Sequence, residues 1–323
     1  MMKTVGHNTL NTRLVADVGG TNTRIALYDP QTDEFRALKT YQNQEYHRFE
    51  QVIDTWLGTL TEGQPNQACI AVAAAPSEDQ VTMLNMDWSF SCSGIAQQFG
   101  FSKFHWINDF TAVAHALPYL GASQRLVLHA GAATSCSRFA AVGPGTGLGG
   151  ATIESIDGKH YATACEPGHM GLSPATRFEM ELFELLLGRY TSIYAELLTS
   201  GPGLQRLYEA ICELRALEVV IRSPAEVAAA ALSGADAQCV LALEMFSSLL
   251  GSACGDFLLA NGAYGGLYLA GGIIPKMVPF LRSSHFHQRL CEKGGMQAHL
   301  EKVPVYIITA AQPGLIGASH VPL

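Results

Sequence analysis

The sequence predicts an α/β protein, and two observations support that prediction. Over residues 68–117, short apolar runs of small and β-branched residues alternate with stretches of helical spacing, the pattern of a sheet covered by helices. A strand, a glycine-containing turn and a second strand occur over residues 14–28 and again over residues 139–155, which suggests a weak internal duplication. We therefore expect a mainly parallel α/β core, with ligand-binding turns at the carboxyl ends of its strands.

Length, composition and charge narrow the class of protein. A chain of 323 residues is long enough for roughly two domains. Its 48% apolar and 15% charged residues are ordinary for a globular protein with a well-filled core. The formal net charge of -8 argues against a nucleic-acid backbone as the main partner.

The cysteines and the apolar stretches indicate a reducing compartment and no membrane. The eight cysteines are scattered and form no CxxC pair, so neither a zinc ribbon nor a thioredoxin-type site is expected. The first residues lack an apolar h-region, which predicts no signal peptide, and residues 1–12 are expected to form a loose tail. The longest apolar stretch, residues 239–260, is interrupted by Glu244 and Asp256, which argues against a membrane span.

Hydrophobic periodicity and turn residues predict the remaining elements in chain order. Beyond the first hairpin, strands are expected at residues 35–41, 68–75, 81–84, 104–107, 266–274 and 303–308. Helices are expected at residues 46–60, 92–99, 110–117, 173–186, 235–260 and 312–318, with a further helix starting at the capping box of Ser223 and Glu226.

The first hairpin carries an acidic residue where an apolar strand meets a turn. Asp17 lies inside the first strand, and residues 19–23 of the turn are Gly, Gly, Thr, Asn and Thr. A buried carboxylate is costly without a partner, and glycines let main-chain N–H groups approach a ligand. The segment fits a phosphate cradle beside a hydrated cation; an ordinary hairpin with a turn aspartate fits equally well.

A second acidic residue follows a predicted strand. Asn108 and Asp109 fall where the strand over 104–107 ends and the helix over 110–117 begins. Ligand sites of open α/β sheets gather at such ends. Aspartate is also a favoured helix N-cap, so a capping role for Asp109 is the alternative.

The second glycine-rich turn matches a dinucleotide fingerprint only superficially. Gly145, Gly147 and Gly150 have the GxGxxG spacing, and Glu166 could pass for its ribose-binding acid. That fingerprint requires a helix directly after the glycines, whereas residues 151–156 are predicted to continue as a strand. We interpret the match as accidental, and no GxxxxGK[ST] motif is present.

Glu166 and His169 lie three residues apart across a Pro-Gly turn. Their side chains are expected to converge on one side of a loop, although a surface turn is the alternative. Cys165 and His169 alone do not make a zinc site, because no second Cys/His pair at ligand spacing accompanies them.

Six motifs occur together and in order: LVADVGGTNTRIALYD, INDFTAVAHALP, VGPGTGLGGA, EPGHMGLSP, AELLTSGPGL and LAGGIIPK. This ordered set resembles the bacterial glucokinases of the hexokinase/actin-like ATPase fold, over about residues 14–317. The chain is less similar to the repressor/ORF/kinase branch, which carries a Cys-rich zinc motif after its Glu–His segment. That motif is missing here, and no helix-turn-helix region precedes residue 14, which argues against a sugar-responsive repressor.

The resemblance implies a two-domain actin-like ATPase (RNase H-like) sugar kinase fold with an interdomain cleft. The small domain would comprise residues 13–118 and 310–323, and the large domain residues 119–309. The resemblance also implies a cytoplasmic homodimer that binds no nucleic acid and no membrane.

The resemblance further implies an ATP-dependent hexose phosphotransferase that phosphorylates the 6-hydroxyl of D-glucose, with Asp109 as the general base. The residues it implies for the sugar are Asn108, Asp109, Glu166, His169 and Glu196. Those it implies for ATP are Ala16, Asp17, Val18, Gly19, Gly20, Thr21, Asn22, Gly145, Thr146, Gly147, Gly271 and Gly272. Asp17 would also meet Mg²⁺, through water, since Mg²⁺ keeps several of its waters.

One position departs from the family pattern. Pro167 stands where the family usually has a second glycine, and proline fixes φ near -65°. If that glycine needs a positive φ, the geometry of Glu166 and His169 is altered and sugar affinity changes. Two other functions remain open: a kinase for mannose or an N-acetylhexosamine, and a non-catalytic sugar sensor.

Overall fold

The computed structural model describes residues 10–61, 63–74, 79–83, 86–132 and 135–323, which form a mixed α/β fold. The strands of the described residues are β1 (Leu10–Val18), β2 (Asn22–Asp29), β3 (Glu34–Gln42), β4 (Pro65–Val72), β5 (Gln80–Thr82), β6 (Ser89–Ser91), β7 (Lys103–Asn108), β8 (Arg125–His129), β9 (Arg138–Pro144), β10 (Leu148–Ile156), β11 (Lys159–Cys165), β12 (Gly266–Leu269) and β13 (Val305–Ile308). The α-helices are α1 (Phe49–Leu57), α2 (Cys92–Phe99), α3 (Asp109–Ala116), α4 (Arg177–Leu187), α5 (Ala195–Thr199), α6 (Gly201–Leu214), α7 (Pro224–Ser233), α8 (Ala237–Asn261), α9 (Val278–Ser283), α10 (Phe286–Cys291), α11 (Gln297–Leu300) and α12 (Pro313–His320).

The chain divides into two compact units. The first unit consists of the described residues up to Leu120 together with Ala311–Leu323, and the second unit is Gly121–Ala310. The C-terminal helix α12 therefore belongs with the N-terminal half of the chain.

The first unit is built on a five-stranded sheet with the order β3-β2-β1-β4-β7. Strands β1, β4 and β7 are parallel, while β2 and β3 are antiparallel to their neighbours. The carboxyl ends of β1, β4 and β7 consequently meet at one edge, where Val18 is paired with Val72 and Val72 with Asn108.

Alternate side chains of β1 fill two different cores, as the period of a strand requires. Leu14, Ala16 and Val18 pack into the cluster that includes Trp56 of α1. Val15 points to the opposite face and packs into the cluster that includes Leu315 of α12. The sheet is thus covered on both sides, which explains why residues 14–16 of β1 and 68–72 of β4 are all apolar.

The second unit contains a six-stranded sheet with the order β11-β10-β9-β12-β13-β8. Its first five strands repeat the pattern of the first sheet: three antiparallel strands followed by two that run parallel to the third. The repeat predicted from the two hairpins therefore extends to five strands of each sheet. The prediction of a mainly parallel core is wrong, because the hairpins and the edge strand β8 make both sheets mixed.

The long apolar helix α8 is the main core helix of the second unit. Within the part of the chain that the structure describes, α8 is the one helix with the length and composition of a membrane span, and 72% of its most apolar window is buried inside the protein. Gly262 ends it in a left-handed conformation with φ of 61°, as expected for a glycine after a helix.

Several predicted boundaries need correction. Residues 10–12, assigned to a tail, belong to β1, while residues 1–9, 75–76 and 84 lie outside the described residues. Helix α4 begins at Arg177 with Thr176 as its N-cap, so Ser173 does not open it. Helix α1 is shorter than predicted at both ends, because it begins after its N-cap Arg48 and ends before Gly58.

Candidate active site

The first glycine turn, residues 19–22, connects β1 to β2 at the carboxyl edge of the first sheet. The Gly19 N–H donates to the Asn22 carbonyl at 3.0 Å, which closes the turn. Asp17 is paired with Arg24 across the hairpin, and the Arg24 guanidinium lies 3.4 Å from its carboxylate. Ala16 and Val18 are fully buried, so they can meet a ligand only through their main chain.

The Asp17 carboxylate also lies against the start of α12. A Cβ added to Gly314 would stand 3.0 to 3.3 Å from the carboxylate atoms, so only a residue without a side chain lets the helix approach this closely. Burial raises the pKa of the Asp17 carboxyl, and the Arg24 guanidinium opposes that rise. A helix N-terminus likewise favours a nearby negative charge.

Asn43 supports the first glycine turn and was missed by the sequence reasoning. Its side chain is 1% exposed. Its amide group donates to the Gly19 carbonyl at 2.7 Å and accepts from the Thr23 hydroxyl at 2.8 Å, and its main-chain N–H donates to the Thr21 carbonyl at 2.9 Å. Nothing local in the sequence indicates this role, because the partners lie about twenty residues earlier.

Asn108, and not Asp109, caps helix α3. The Asn108 Oδ1 accepts from the N–H groups of Phe110 at 2.9 Å and Thr111 at 3.2 Å, and its amide nitrogen donates to Ala74 at 3.3 Å. Asp109 is the first residue of the helix, with its carboxylate accepting from the Phe110 N–H at 2.9 Å. The alternative prediction that Asp109 caps the helix is therefore wrong, because its neighbour Asn108 is the N-cap.

The second glycine turn, residues 145–147, connects β9 to β10 in the second unit. The Gly145 N–H donates to the Gly147 carbonyl at 2.8 Å, and the Gly145 carbonyl accepts from Gly201 at the start of α6, also at 2.8 Å. Gly271 has φ of +91°, and an added Cβ would stand 2.6 Å from the Pro144 carbonyl. The predicted diglycine therefore lies beside the predicted phosphate turn.

A cavity of about 470 Å³ opens beside the second glycine turn. Its lining is mostly apolar and includes Gly145, Gly272, Ala225 and Ala228, with Lys276 as the one charged residue. The sequence reasoning found the glycines but missed the contribution of α7, whose capping box carried no sign of a ligand.

The loop that carries Glu166 and His169 packs against the start of α5, where Glu196 lies. Residues 167–169 form a 3-10 helix, and the Met170 carbonyl accepts from the Ala195 N–H at 2.9 Å. An added Cβ on Gly168 would stand 3.2 Å from the Glu196 Cβ, and the rings of His169 and Tyr194 stack with their centroids 5.8 Å apart. The main chain of the 166–169 loop therefore lies against α5, which carries Glu196, while the convergence of the Glu166 and His169 side chains stays a prediction.

Pro167 fits this loop. It occupies the first position of the 3-10 helix, where the fixed φ of proline is suitable and its missing N–H costs nothing. Its ring packs on β10, with Cγ 2.5 Å from a Cβ added to Gly150. The glycine at position 150 therefore leaves room for the proline at position 167.

The predicted residues fall into two groups, one in each unit. In the first unit, the first glycine turn and Asp109 lie at the same edge of the sheet with β4 between their strands, a separation of roughly 10 Å. In the second unit, the second glycine turn, the diglycine and the Glu166–His169–Glu196 cluster are neighbours.

Comparison with known proteins now assigns the chain to a family. The sequence profile of the glucokinase family matches residues 14–322. The chain belongs to the glucokinase family. Every predicted site residue lies within the matched range.

Individual glucokinases support the assignment. The glucokinase of Psychromonas ingrahamii is 38% identical over 305 residues, covering 94% of this chain and 95% of that protein. The glucokinase of Chromobacterium violaceum is 39% identical over 309 residues, covering 95% and 88%. The crystal structure of a glucokinase from an Antarctic psychrotroph is similar with a TM-score of 0.87 at 35% identity, covering 97% of this chain and 98% of that one.

Proposed function

We propose that this chain is a glucokinase that transfers the γ-phosphoryl group of ATP to the 6-hydroxyl of D-glucose. The observation that carries the proposal is the family match over residues 14–322. The two glycine turns and Asp109, each at the carboxyl end of a strand, supply parts that phosphoryl transfer needs: phosphate donors and a group to orient the nucleophile.

Asp109 acts as the general base in this proposal. Its carboxylate can accept a hydrogen bond from the sugar hydroxyl. It is too weak to remove that proton in the ground state. It orients the hydroxyl and takes the proton as the oxygen–phosphorus bond forms and the bond to ADP breaks.

Asn108, Glu166, His169 and Glu196 hold the other sugar hydroxyls. Such polar contacts discriminate strongly, because a substrate without the matching hydroxyl leaves a buried group unpaired. Asn108 uses its carbonyl oxygen to cap α3, so it offers the sugar an N–H. Holding the sugar rigidly contributes the positioning on which phosphoryl transfer mainly depends.

ATP binds with its phosphates at the two glycine turns and its adenosine in the cavity beside Gly271 and Gly272. The apolar walls of that cavity suit a base, and Gly272 leaves open space where a side chain would stand. Closure on the sugar would exclude water and prevent wasteful hydrolysis of ATP.

The residues around Asp17 fit a magnesium ion. Among the described residues, no group of three or more His, Cys, Asp or Glu side chains is arranged to hold a metal. Mg²⁺ in kinases needs no such group, because one or two carboxylates, substrate phosphates and water complete its shell. Asp17 would hold the ion through water, and Mg²⁺ would neutralise charge on the transferred phosphoryl group.

The remaining parts of the proposal rest on the resemblance to the family. The two units correspond to the two domains of an actin-like ATPase, with the sugar bound in a cleft between them. The protein acts in the cytoplasm as a homodimer.

The test measures ADP release from Mg-ATP with glucose, mannose, fructose and N-acetylglucosamine in parallel. Turnover with glucose is expected, with kcat reduced by at least about a hundred-fold in Asp109→Asn and Asp109→Ala. Their thermal melts and glucose-induced melting shifts serve as folding and binding controls.

Two outcomes would overturn the proposal. Faster turnover with another sugar than with glucose would make the chain a kinase for that sugar. A glucose-induced rise in the melting temperature without ADP release would leave a sugar sensor.

A further inference from the structure

One short segment, residues 196–201, forms hydrogen bonds to both sides of the second glycine turn. The Glu196 carboxylate, on α5, accepts from the Leu148 N–H at 2.9 Å, directly after the turn. Five residues later, the Gly201 N–H donates to the Gly145 carbonyl at 2.8 Å, directly before the turn's centre. Residues 196–201 therefore fix both sides of the turn.

Glu196 also packs closely against the turn. A Cβ added to Gly147 would overlap the Oε2 atom of Glu196, so the glycine at position 147 leaves the space that the carboxylate fills. A Cβ added to Gly168, between Glu166 and His169, would stand 3.2 Å from the Cβ and 3.3 Å from the Oε2 of Glu196. One carboxylate thus touches the proposed phosphate turn and the proposed sugar loop at once.

We propose that Glu196 is a positioning residue for the nucleotide, in addition to its sugar contact, and that it couples the two binding sites. The inference rests on the proposed function, since it takes the 145–147 turn as a phosphate site. It goes further in predicting an effect of Glu196 on nucleotide affinity when no sugar is present.

The chemistry of a carboxylate allows both contacts. Its two oxygens accept several hydrogen bonds, so Oε2 can hold the Leu148 N–H while Oε1 accepts from a sugar hydroxyl. A bound sugar then restrains the carboxylate and, through it, the turn. The nucleotide binds a turn that is already ordered, which is positive cooperativity between the two sites.

The experiment measures the Kd of AMP-PNP by titration calorimetry, first without sugar and then with glucose. Three variants separate charge from reach: Glu196→Ala loses both, Glu196→Asp keeps the charge but is one methylene too short, and Glu196→Gln keeps a carbonyl that can accept from Leu148. The matched control is Glu209→Ala, which removes a glutamate on α6 that pairs with Gln205.

Without sugar, Glu196→Ala and Glu196→Asp are expected to raise the Kd about five- to ten-fold, the scale of one lost hydrogen bond. Glu196→Gln is expected to stay within about two-fold of the parent protein, because the accepting atom is kept. Glucose should lower the Kd of AMP-PNP for the parent protein and for Glu209→Ala.

The alternative hypothesis, in which Glu196 contacts only the sugar, predicts a different result. All three variants would then bind AMP-PNP like the parent protein when sugar is absent, and the inference would be wrong. A Glu196→Gln variant as weak as Glu196→Ala would also contradict it. These readouts are independent of turnover, so failure of the parent protein to phosphorylate glucose would count against the proposed function alone.

Discussion

Asn43 illustrates how a single buried amide can shape a site that it does not enter. It bridges Gly19 and Thr23 across the first glycine turn. Its main-chain N–H also binds Thr21, so the turn is held at three points. Main-chain N–H groups can bind a phosphate only if their directions are fixed, and Asn43 would fix them in this proposed phosphate site.

Replacing Asn43 by leucine should therefore affect both stability and nucleotide binding. Two side-chain hydrogen bonds are lost and their buried partners are left unpaired, so the free energy of unfolding should fall by about 2–3 kcal/mol. The KM for ATP should rise several-fold as the turn loosens. Urea unfolding and initial-rate kinetics measure the two effects.

The neighbouring Gln42→Leu variant is the control, because its side chain is exposed and accepts a hydrogen bond from Gln44, while its pairing with Asn22 uses the main chain. Equal stability and equal KM in the two variants would contradict the role assigned to Asn43.

At the scale of elements, β1 holds both ends of α12. The Arg13 guanidinium donates to the carbonyls of Ser319 at 2.7 Å, in the last turn of the helix, and of Val321 at 2.8 Å, directly after it. Asp17 lies against Gly314 at the start of the helix. Four residues of strand span about 13 Å and eight residues of helix about 12 Å, so the two charges match the helix ends. Their signs also complement the helix dipole.

Replacing Arg13 by methionine should destabilise the first unit. Arg13 is 9% exposed, and its removal leaves buried carbonyls without donors, at a cost of about 3 kcal/mol in the free energy of unfolding. Arg36→Met provides the comparison, because it breaks a partly exposed ion pair with Asp29 that is worth at most about 1 kcal/mol. A similar shift of the urea midpoint in both variants would count against the capping role.

Helix α7 forms one wall of the cavity beside the second glycine turn, and Ala228 faces that cavity. Phenylalanine at position 228 should fill the space proposed for adenosine and raise the KM for ATP at least about ten-fold, since apolar base contacts of this size are worth more than 1.4 kcal/mol. The KM for glucose should change little. Ala237→Phe, on the exposed start of α8, is the matched control, and a selective loss of glucose affinity would refute the assignment of the cavity.

On the scale of the whole molecule, the two sheets repeat one arrangement. In each, an antiparallel hairpin leads into two parallel strands, and a glycine turn lies at the end of the central strand. The polar contacts beside the two turns differ. At the first turn the Arg24 guanidinium lies 3.4 Å from the Asp17 carboxylate, whereas at the second the Leu148 main-chain N–H donates to the Glu196 carboxylate. The same fold element thus supplies two glycine turns with different electrostatic surroundings, and we propose that both bind the phosphates of ATP.

Stability should decrease as the pH falls below about 6.5, partly because of His287. Burial and the neighbouring His129 lower the pKa of His287, and the two ring centroids are 3.8 Å apart. The negative charge of Glu301 opposes this lowering of the pKa. The Cys291 Sγ also faces the ring, 3.7 Å from the His287 Nε2. His287 therefore binds a proton more readily in the unfolded chain than in the folded chain. The free energy of unfolding decreases as the pH falls from the ordinary histidine pKa to the lower pKa of His287 in the folded chain.

The variant His287→Phe keeps an aromatic ring on His129 but cannot titrate. Its free energy of unfolding should therefore fall less than that of the parent protein between pH 7.5 and 5.5, measured by urea unfolding. The difference at pH 8 isolates the packing effect. Comparing the two proteins is necessary because the net charge of -8 also approaches zero near the isoelectric point of about 5.7, and this change in charge affects the stability of both proteins. Parallel curves for the two proteins would exclude the assigned contribution.

Local chemistry made much of the fold predictable. The helix over residues 92–99 has the predicted bounds and ends at Gly100, whose φ is 71°, and the capping box of Ser223 and Glu226 starts α7 as expected. The strand predicted after the second glycine turn argued against a dinucleotide-binding motif, and β10 confirms that this segment is a strand. These features depend on neighbours within a few residues, which the sequence displays directly.

The sequence by itself determined the family, the two glycine turns and the order of most elements, because short-range propensities and motif order encode them. Only the tertiary structure decided that both sheets are mixed, that Asn108 caps α3, and which distant side chains support the turns. Arg13 meets Ser319 across 306 positions, and Leu148 meets Glu196 across 48. No local pattern specifies such pairs, because each is selected by the packing of the folded chain, where a buried polar group must find a partner wherever the fold supplies one.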